Sequence, residues 1–522
     1  MATHGIRRWK ALGAGLTAVA LFAALLVHVL PTSTFLYDEA DYAFAASKGV
    51  IANALDSPSL GVLDFLALGL ANRQAENNTQ TRGKSGETLS EYVRGIGDIT
   101  LYRHYHPPLY FYTLSVAGRL FGFTERGLRL ASASAVVLVA CLVGYFAFRL
   151  MRETDVHFGA ALTAGGVAFL FAASSPILIE TGMIVTPHSL FAVFAVVTVG
   201  CAGLFLVTGG RFWWRATALS LGLSFLTLEY ALVLAASVIC AFVFARWRKW
   251  SVGGGDGRLV LEAIAIITIV IFVLWPGGVV KLTIVKNYLY FFYFALMRAG
   301  SAYGSASLTE VWGMRVAESP PLLLAAGALP LLAWEMRRNV NLVGVLPAIS
   351  YICFLFCANL RNHSLQPTYV SSLIPALGIC LGLSVGMLVC RNRWAGGSLA
   401  IFLSFLMLTT TAVLAWPPDV SDQGGTIDNQ EHVITAFRDR RIALPAGTCL
   451  SVPAALLPSV HYYAPSLRLR PYDFTDTIQN SFGRCDHALL TVTGNDAMRY
   501  SQGRIVVDLG TGDVTRYVVL RK

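Results

Sequence analysis

Residues 11–31 read ALGAGLTAVALFAALLVHVLP, and shortly after them the chain turns to Tyr37-Asp38-Glu39-Ala40-Asp41-Tyr42. The first stretch is an apolar run long enough to cross a bilayer. The second sets three carboxylates, Asp38, Glu39 and Asp41, where the chain should meet the outer membrane–water boundary. A helix opening at Asp38 carries Asp41 and Tyr42 on the same face and turns Glu39 elsewhere. Two readings follow from this stretch. A carboxylate held at a membrane surface can take a proton from a hydroxyl acceptor, with its neighbours tuning its pKa. Equally, the acids can serve as N-terminal caps of a juxtamembrane helix.

Working outward, the composition fixes the class. Of 522 residues, 55% are hydrophobic and only 13% charged, and the mean hydropathy is +0.60. That balance belongs to a polytopic membrane protein and excludes an ordinary soluble domain. The net charge of +10 does not indicate nucleic acid, because the basic residues lie between the apolar runs and read as topology signals facing anionic lipid. Seven of the nine cysteines lie in or beside apolar segments, without metal-ligand spacing. The N-terminal Arg7, Arg8 and Lys10 before an apolar run resemble a signal peptide. The run is long and shows no small-residue cleavage site, so it reads as an anchor.

Apolar runs recur at 11–31, 129–150, 157–175, 188–208, 215–228, 230–246, 259–279, 321–335, 341–358, 369–390 and 396–416. The pattern predicts an all-α polytopic protein of about eleven transmembrane helices. The 215–246 stretch is divided near Glu229. With the N-terminus inside, the clusters Arg7/Arg8/Lys10, Arg149/Arg152, Arg211/Arg215, Arg246/Arg248/Lys249, Arg337/Arg338 and Arg391/Arg393 all fall on the cytoplasmic side. Segments 32–128, 176–187, 280–320, 359–368 and 417–522 are then outside. Counting 107–122 as a span would reverse half of these clusters, so it reads as a helix lying in the outer interface, as do 41–55 and 58–72.

The outer segments hold the unusual polar residues. Tyr102-Arg103-His104-Tyr105-His106-Pro107-Pro108 places Arg103, His104 and His106 just before a proline-started helix, where anions bind. A solvated basic and aromatic interface belt is the plainer alternative. Lys281 to Arg298, with Lys286 between them, is aromatic and amphipathic, as an interfacial helix beside a lipid entrance would be. Arg361 and His363 supply further cations on the same side.

Taken in order, the acidic pair after the first span, His106-Pro107-Pro108-Leu109-Tyr110 and Glu125-Arg126-Gly127-Leu128-Arg129-Leu130 resemble the GT-C type membrane glycosyltransferases. The branch is the one that protein O-mannosyltransferases share with lipid A aminoarabinose transferases. Gly182 to His188, Gly222 to Thr227 and, more loosely, His363 to Pro375 extend the likeness. The resemblance implies inverting transfer of a sugar from a polyprenyl-phosphate carrier to a glycan, lipid or protein acceptor. It implies a bacterial inner membrane with the active site facing the periplasm or exterior. Asp38 matches the family's catalytic acid and Glu39 its partner, and His106 occupies the place before Pro-Pro where the family puts a His or a Lys near the carrier phosphate. Two positions depart from the pattern. His188 replaces a usual Asp, and Leu228-Glu229 stands where a Lys commonly follows the Thr.

The chemistry asks for a base, cations for the leaving phosphate and an apolar groove for the lipid tail. Asp38 suits the first role and Arg103, His104 and His106 the second, with Asp41, Tyr42 and His188 completing a substrate site. No cofactor is required, although the three acids could hold one divalent cation. A secondary transporter or flippase is the alternative, but it should show paired repeats and mid-bilayer charges. After Trp416-Pro417-Pro418 no span remains. A helix over 431–441 and strand-like runs at 448–452, 487–492, 504–509 and 516–520 predict a small outer α/β domain over 417–522. The membrane domain is then 1–416. Cys449 and Cys485 flank two of these runs and could pair in an oxidising space.

Overall fold

Proline and glycine set the ends of the helices. The computed structural model describes residues 2–35, 37–48, 107–250, 257–275, 284, 288, 312–313, 315–317, 319–337, 339–359, 367–414, 427–453, 456–472, 485–493, 504–511 and 515–521. Its chain divides into two units. One is Met1–Pro31, Arg129–Leu274 and Phe294–Pro418, and the other is Thr32–Leu128, Trp275–Tyr293 and Asp419–Lys522.

The first unit holds the long apolar helices. These are α1 (Ala2–His28), α4 (Glu125–Arg152, which begins in the second unit), α5 (Phe158–Ala173), α6 (Pro176–Met183), α7 (Pro187–Thr208), α8 (Arg211–Phe225), α9 (Ala231–Trp247), α10 (Gly257–Leu274), α11 (Pro321–Met336), α12 (Leu346–Asn359), α13 (Leu373–Arg391) and α14 (Arg393–Leu414). The second contributes α2 (Tyr37–Lys48), α3 (Leu109–Phe121), α15 (Ile427–Arg438), α16 (Leu457–Tyr463) and five strands. Among the described residues six helices are long and apolar enough to cross a membrane, or seven if the bent pair α5 and α6 is one span. Gly13–His28, Ala231–Trp247 and Pro321–Met336 are shorter apolar helices.

Local chemistry explains the ends. Pro176, Pro187 and Pro321 stand in the first turns of their helices, where a missing N–H costs nothing. Gly209 closes α7 in the left-handed region at φ 66° and returns its N–H to the Phe205 carbonyl, a conformation that glycine adopts without strain. Asn392 opens α14 by accepting the Trp394 and Ala395 N–H groups, both at 3.1 Å. The expected division near Glu229 is present: α8 stops at Phe225, α9 starts at Ala231, and Glu229 is buried in the turn between them. One expectation needs correcting. Much of 176–187 is not loop but the buried helix α6, bent 53° from α5.

Small residues let the spans touch. Gly378, Gly382 and Gly386 recur every fourth residue along α13. A Cβ at Gly382 would strike the Ala164 carbonyl of α5, and one at Gly386 would come within 2.8 Å of the Ala164 Cβ. Gly144 of α4 and Gly165 of α5 each face the other's carbonyl. Between helices whose outer faces meet lipid, close backbone approach of this kind supplies the dispersion contact that apolar burial does not.

The strands β1 (Cys449–Pro453), β2 (Arg468–Tyr472), β3 (His487–Thr493), β4 (Arg504–Thr511) and β5 (Thr515–Arg521) form one sheet of order β2-β1-β3-β5-β4. β1 lies parallel to β2 and β3, while β5 runs antiparallel to β3 and β4. Val433, Ile434 and Phe437 of α15 share a core with Leu450, Val452, Leu469, Leu489 and Val519 of the strands. A disulfide joins Cys449 to Cys485 with Cα atoms 5.0 Å apart.

Candidate active site

The acid motif lies on a helix. α2 begins at Tyr37, so Asp38, Glu39 and Asp41 occupy its first turns. The side chains of Asp38 and Asp41 lie outside the described residues. Glu39 is half-buried. Tyr42, one turn after Asp38, is buried, with its ring edge-on to Tyr110 at 6.1 Å and tilted against Phe111 at 5.8 Å. Tyr110 and Phe111 belong to α3, the helix opened by Pro107 and Pro108. The acid helix therefore packs against the helix that directly follows His106. Arg103, His104 and His106 themselves lie outside the described residues, as do Lys281, Lys286, Arg298, Arg361 and His363.

The stretch before α2 is held by Tyr462, Tyr463 and Arg438, which sequence reasoning did not single out, together with Glu125 of the Glu125–Leu130 motif. The Phe35 N–H donates to the Tyr463 hydroxyl at 2.9 Å, and that hydroxyl donates to Glu125 Oε1 at 2.8 Å. The Tyr462 hydroxyl donates to the Phe123 carbonyl at 2.8 Å, and its ring meets Phe35 edge-on. Arg438 donates to the Thr32 carbonyl at 3.1 Å and lies 3.9 Å from the Glu125 carboxylate. Burial pushes both tyrosine hydroxyls well above their ordinary range. The Glu125 carboxylate adds to the rise, and at Tyr463 the two outweigh the lowering effect of the Phe35 N–H.

His188 belongs to the first unit. It is buried near the N-terminus of α7, with its ring 5.0 Å from Tyr369 and 6.0 Å from Tyr230. Thr186 caps the helix by accepting the His188 N–H at 3.4 Å, and Ser189 donates to the Thr186 carbonyl at 2.8 Å. The motif Gly182 to His188 thus encodes a helix break, a cap and a restart. Arg129, buried in α4, donates to the Pro31 carbonyl at 3.0 Å and fixes the end of the first apolar segment. Its signal was the Glu-Arg-Gly-Leu-Arg motif. Tyr462, Tyr463 and Arg438 carried no comparable signal.

Solved structures share this architecture. ArnT from Cupriavidus metallidurans bound to undecaprenyl phosphate superposes with a TM-score of 0.60 at 15% identity, covering 97% of this chain and 98% of that one. The chain shares its fold with this ArnT. The apo form of the same ArnT gives a TM-score of 0.58 at 16% identity, with the same coverage of 97% and 98%. The oligosaccharyltransferase AglB from Archaeoglobus fulgidus, in complex with an inhibitory peptide and a dolichol-phosphate, gives 0.55 at 12% identity over 91% of this chain and 69% of that one. Residues 105–275 match the family model described as dolichyl-phosphate-mannose-protein mannosyltransferase. No curated protein matches the chain by sequence. The likeness first read from the acid pair and the His-Pro-Pro stretch therefore holds at the level of the GT-C fold and this family match.

Proposed function

We propose that the chain is an integral-membrane glycosyltransferase that moves a sugar from a polyprenyl-phosphate carrier to an acceptor hydroxyl or phosphate on the extracytoplasmic face of a bacterial inner membrane. The observation that carries this reading is the packing of Tyr42 on Tyr110 and Phe111. Through it, the helix bearing Asp38 and Glu39 lies against the helix whose first residues follow His106. Asp38 and His106 thus border two helices in contact, which supports a base and a leaving-group site acting together.

In this reading Asp38 takes the acceptor proton or orients the acceptor, and Glu39 is its partner. Arg103, His104 and His106 hold the carrier phosphate, with Lys281, Lys286, Arg298, Arg361 and His363 as further cations. Asp41, Tyr42 and His188 are the remaining candidates for contact with the substrate. The phosphate leaves as a stabilised anion, so beyond the base the enzyme has to position the reactants and neutralise charge. Attack on the face opposite that phosphate inverts the anomeric carbon. The lipid phosphates named with ArnT and AglB support a lipid-linked donor. A divalent cation on the hard carboxylate oxygens of the acid motif is compatible with this set. The count of about eleven spans and the placing of 417–522 as a separate outer domain are part of the same proposal.

The test is Asp38→Asn in membranes supplied with radiolabelled polyprenyl-phosphate sugars. Transfer is expected to drop by about 100-fold or more, with expression and binding of the lipid phosphate retained. Transfer at the parental rate would remove Asp38 from the mechanism.

A further inference from the structure

We propose that Tyr463 is a positioning residue for sugar transfer, its hydroxyl setting the helix that carries Asp38; the proposal rests on the reading of Asp38 given above. One oxygen accepts the Phe35 N–H and donates to the Glu125 carboxylate, at 2.9 and 2.8 Å. Phe35 stands three positions before Asp38, just ahead of α2. Glu125 opens α4. The hydroxyl therefore joins the start of the acid helix to the far end of the same long segment, across a sequence distance that no local hydrogen bond could span. The adjacent Tyr462 reinforces the joint through the Phe123 carbonyl and its edge-on contact with Phe35. Helix α16, which carries both tyrosines, packs directly on α2.

The position of these bonds argues for aim over bulk stability. The core beneath the sheet is made by Val433, Ile434, Phe437, Leu450, Val452, Leu457, Val460 and their neighbours, and the ring of Tyr463 packs only at its edge. The hydroxyl adds nothing to that apolar core and ends instead on the turn before Asp38. Phe in its place keeps the ring but removes the hydroxyl that accepts the Phe35 N–H, and the stretch before α2 shifts in response. A displacement of about 1 Å in a reacting group is enough to cost roughly 100-fold in rate. This bond gives the segment after Trp416 a part in the reaction.

The experiment compares purified full-length protein carrying Tyr463→Phe with the parent and with Asp38→Asn, using a radiolabelled polyprenyl-phosphate sugar. For Tyr463→Phe, kcat should drop roughly 10- to 100-fold while KM for the donor stays within about twofold. Detergent elution and the Cys449–Cys485 disulfide should be unchanged. Glu125→Ala, which cuts the same bond from the acceptor side, should lower kcat alike. Combined with Tyr463→Phe it should add little, and Glu125→Gln, which keeps an acceptor, should restore most of the rate. Unchanged kcat in folded Tyr463→Phe, alongside an inactive Asp38→Asn, overturns the positioning role alone. An active Asp38→Asn overturns the reading of the site and this proposal with it. If neither Tyr463→Phe nor Glu125→Ala can be isolated folded, the bond is structural and the positioning role is withdrawn.

Discussion

In the span unit, Gly378, Gly382 and Gly386 bring α13 onto Ala160, Ala164 and Ala168 of α5 with almost no side chain between the backbones. In the other unit, the turn before the acid helix is held by a tyrosine hydroxyl, a carboxylate and an arginine, and the sheet nearby by a disulfide. On the proposed topology the two regions meet different solvents. Helices that face lipid gain little by hiding apolar surface from it, so they associate by close approach. A segment in water has apolar burial for its core, and it can spend polar groups on direction, since water satisfies whatever they leave exposed.

The sharpest way to break this comparison is Gly382→Leu. The new side chain would have to occupy space held by the Ala164 carbonyl and the Ala168 Cβ, the latter 2.8 Å from the first added carbon. Backbone cannot rotate aside as a side chain can, so the expected cost is about 5 kcal/mol, at the exceptional end for one substitution. Size-exclusion chromatography in detergent should show the folded peak lost. A Leu variant that elutes and melts like the parent would mean that the glycine stripe is incidental.

That stripe was visible in the sequence as Gly-x-x-x-Gly-x-x-x-Gly within an apolar run, but hydropathy alone registers only the run. The six long apolar helices found among the described residues were legible because length and apolarity are properties of single segments, and so was the break at Glu229, where a charge interrupts a stretch too long for one crossing. Helix α6 was missed because Pro176 and the polar residues around Ser174 read as a loop, whereas the chain uses them to bend and re-enter a helix. Strand β2 was missed for a similar reason. Arg468-Leu469-Arg470-Pro471-Tyr472 contains a proline, which removes a ladder donor, and only an edge position in the sheet tolerates it. At the site, the acid helix and its proline-started neighbour were legible as motifs. The Tyr463 bond was not, since it joins residues 428 positions apart and neither partner belongs to a motif.

The disulfide offers a smaller, more selective test. Cys449 and Cys485 are separated by 36 positions and tie the start of β1 to the lead-in of β3. Closing a loop of that length stabilises by about 4 kcal/mol, chiefly by restricting the unfolded chain. Cys449→Ala with Cys485→Ala should therefore make the sheet susceptible to trypsin at lower temperature. The glycine-packed helices, which hold no part of that bond, should stay resistant. Simultaneous loss of both regions would show that they melt as one cooperative body, and the contrast would be erased.

The smallest effect distinguishes the two regions by pH. Tyr462 and Tyr463 have hydroxyls raised above the ordinary value of 10.0 by burial and by the Glu125 carboxylate. In the unfolded chain both titrate near that ordinary value, whereas in the folded protein both keep their protons beyond it. The stability they lend is thus fully present below about pH 10 and declines as the pH climbs past it, by roughly 1 kcal/mol per tyrosine for each further pH unit. Thermal unfolding of the segment around the sheet, followed between pH 9 and about pH 11, should show this decline. Tyr463→Phe, although less stable at pH 9, should show about half the slope, because one of the two titrating groups is gone. A slope unchanged by that substitution would place the alkaline transition elsewhere and would mean that the hydroxyl between Phe35 and Glu125 is not held as firmly as its two short hydrogen bonds require.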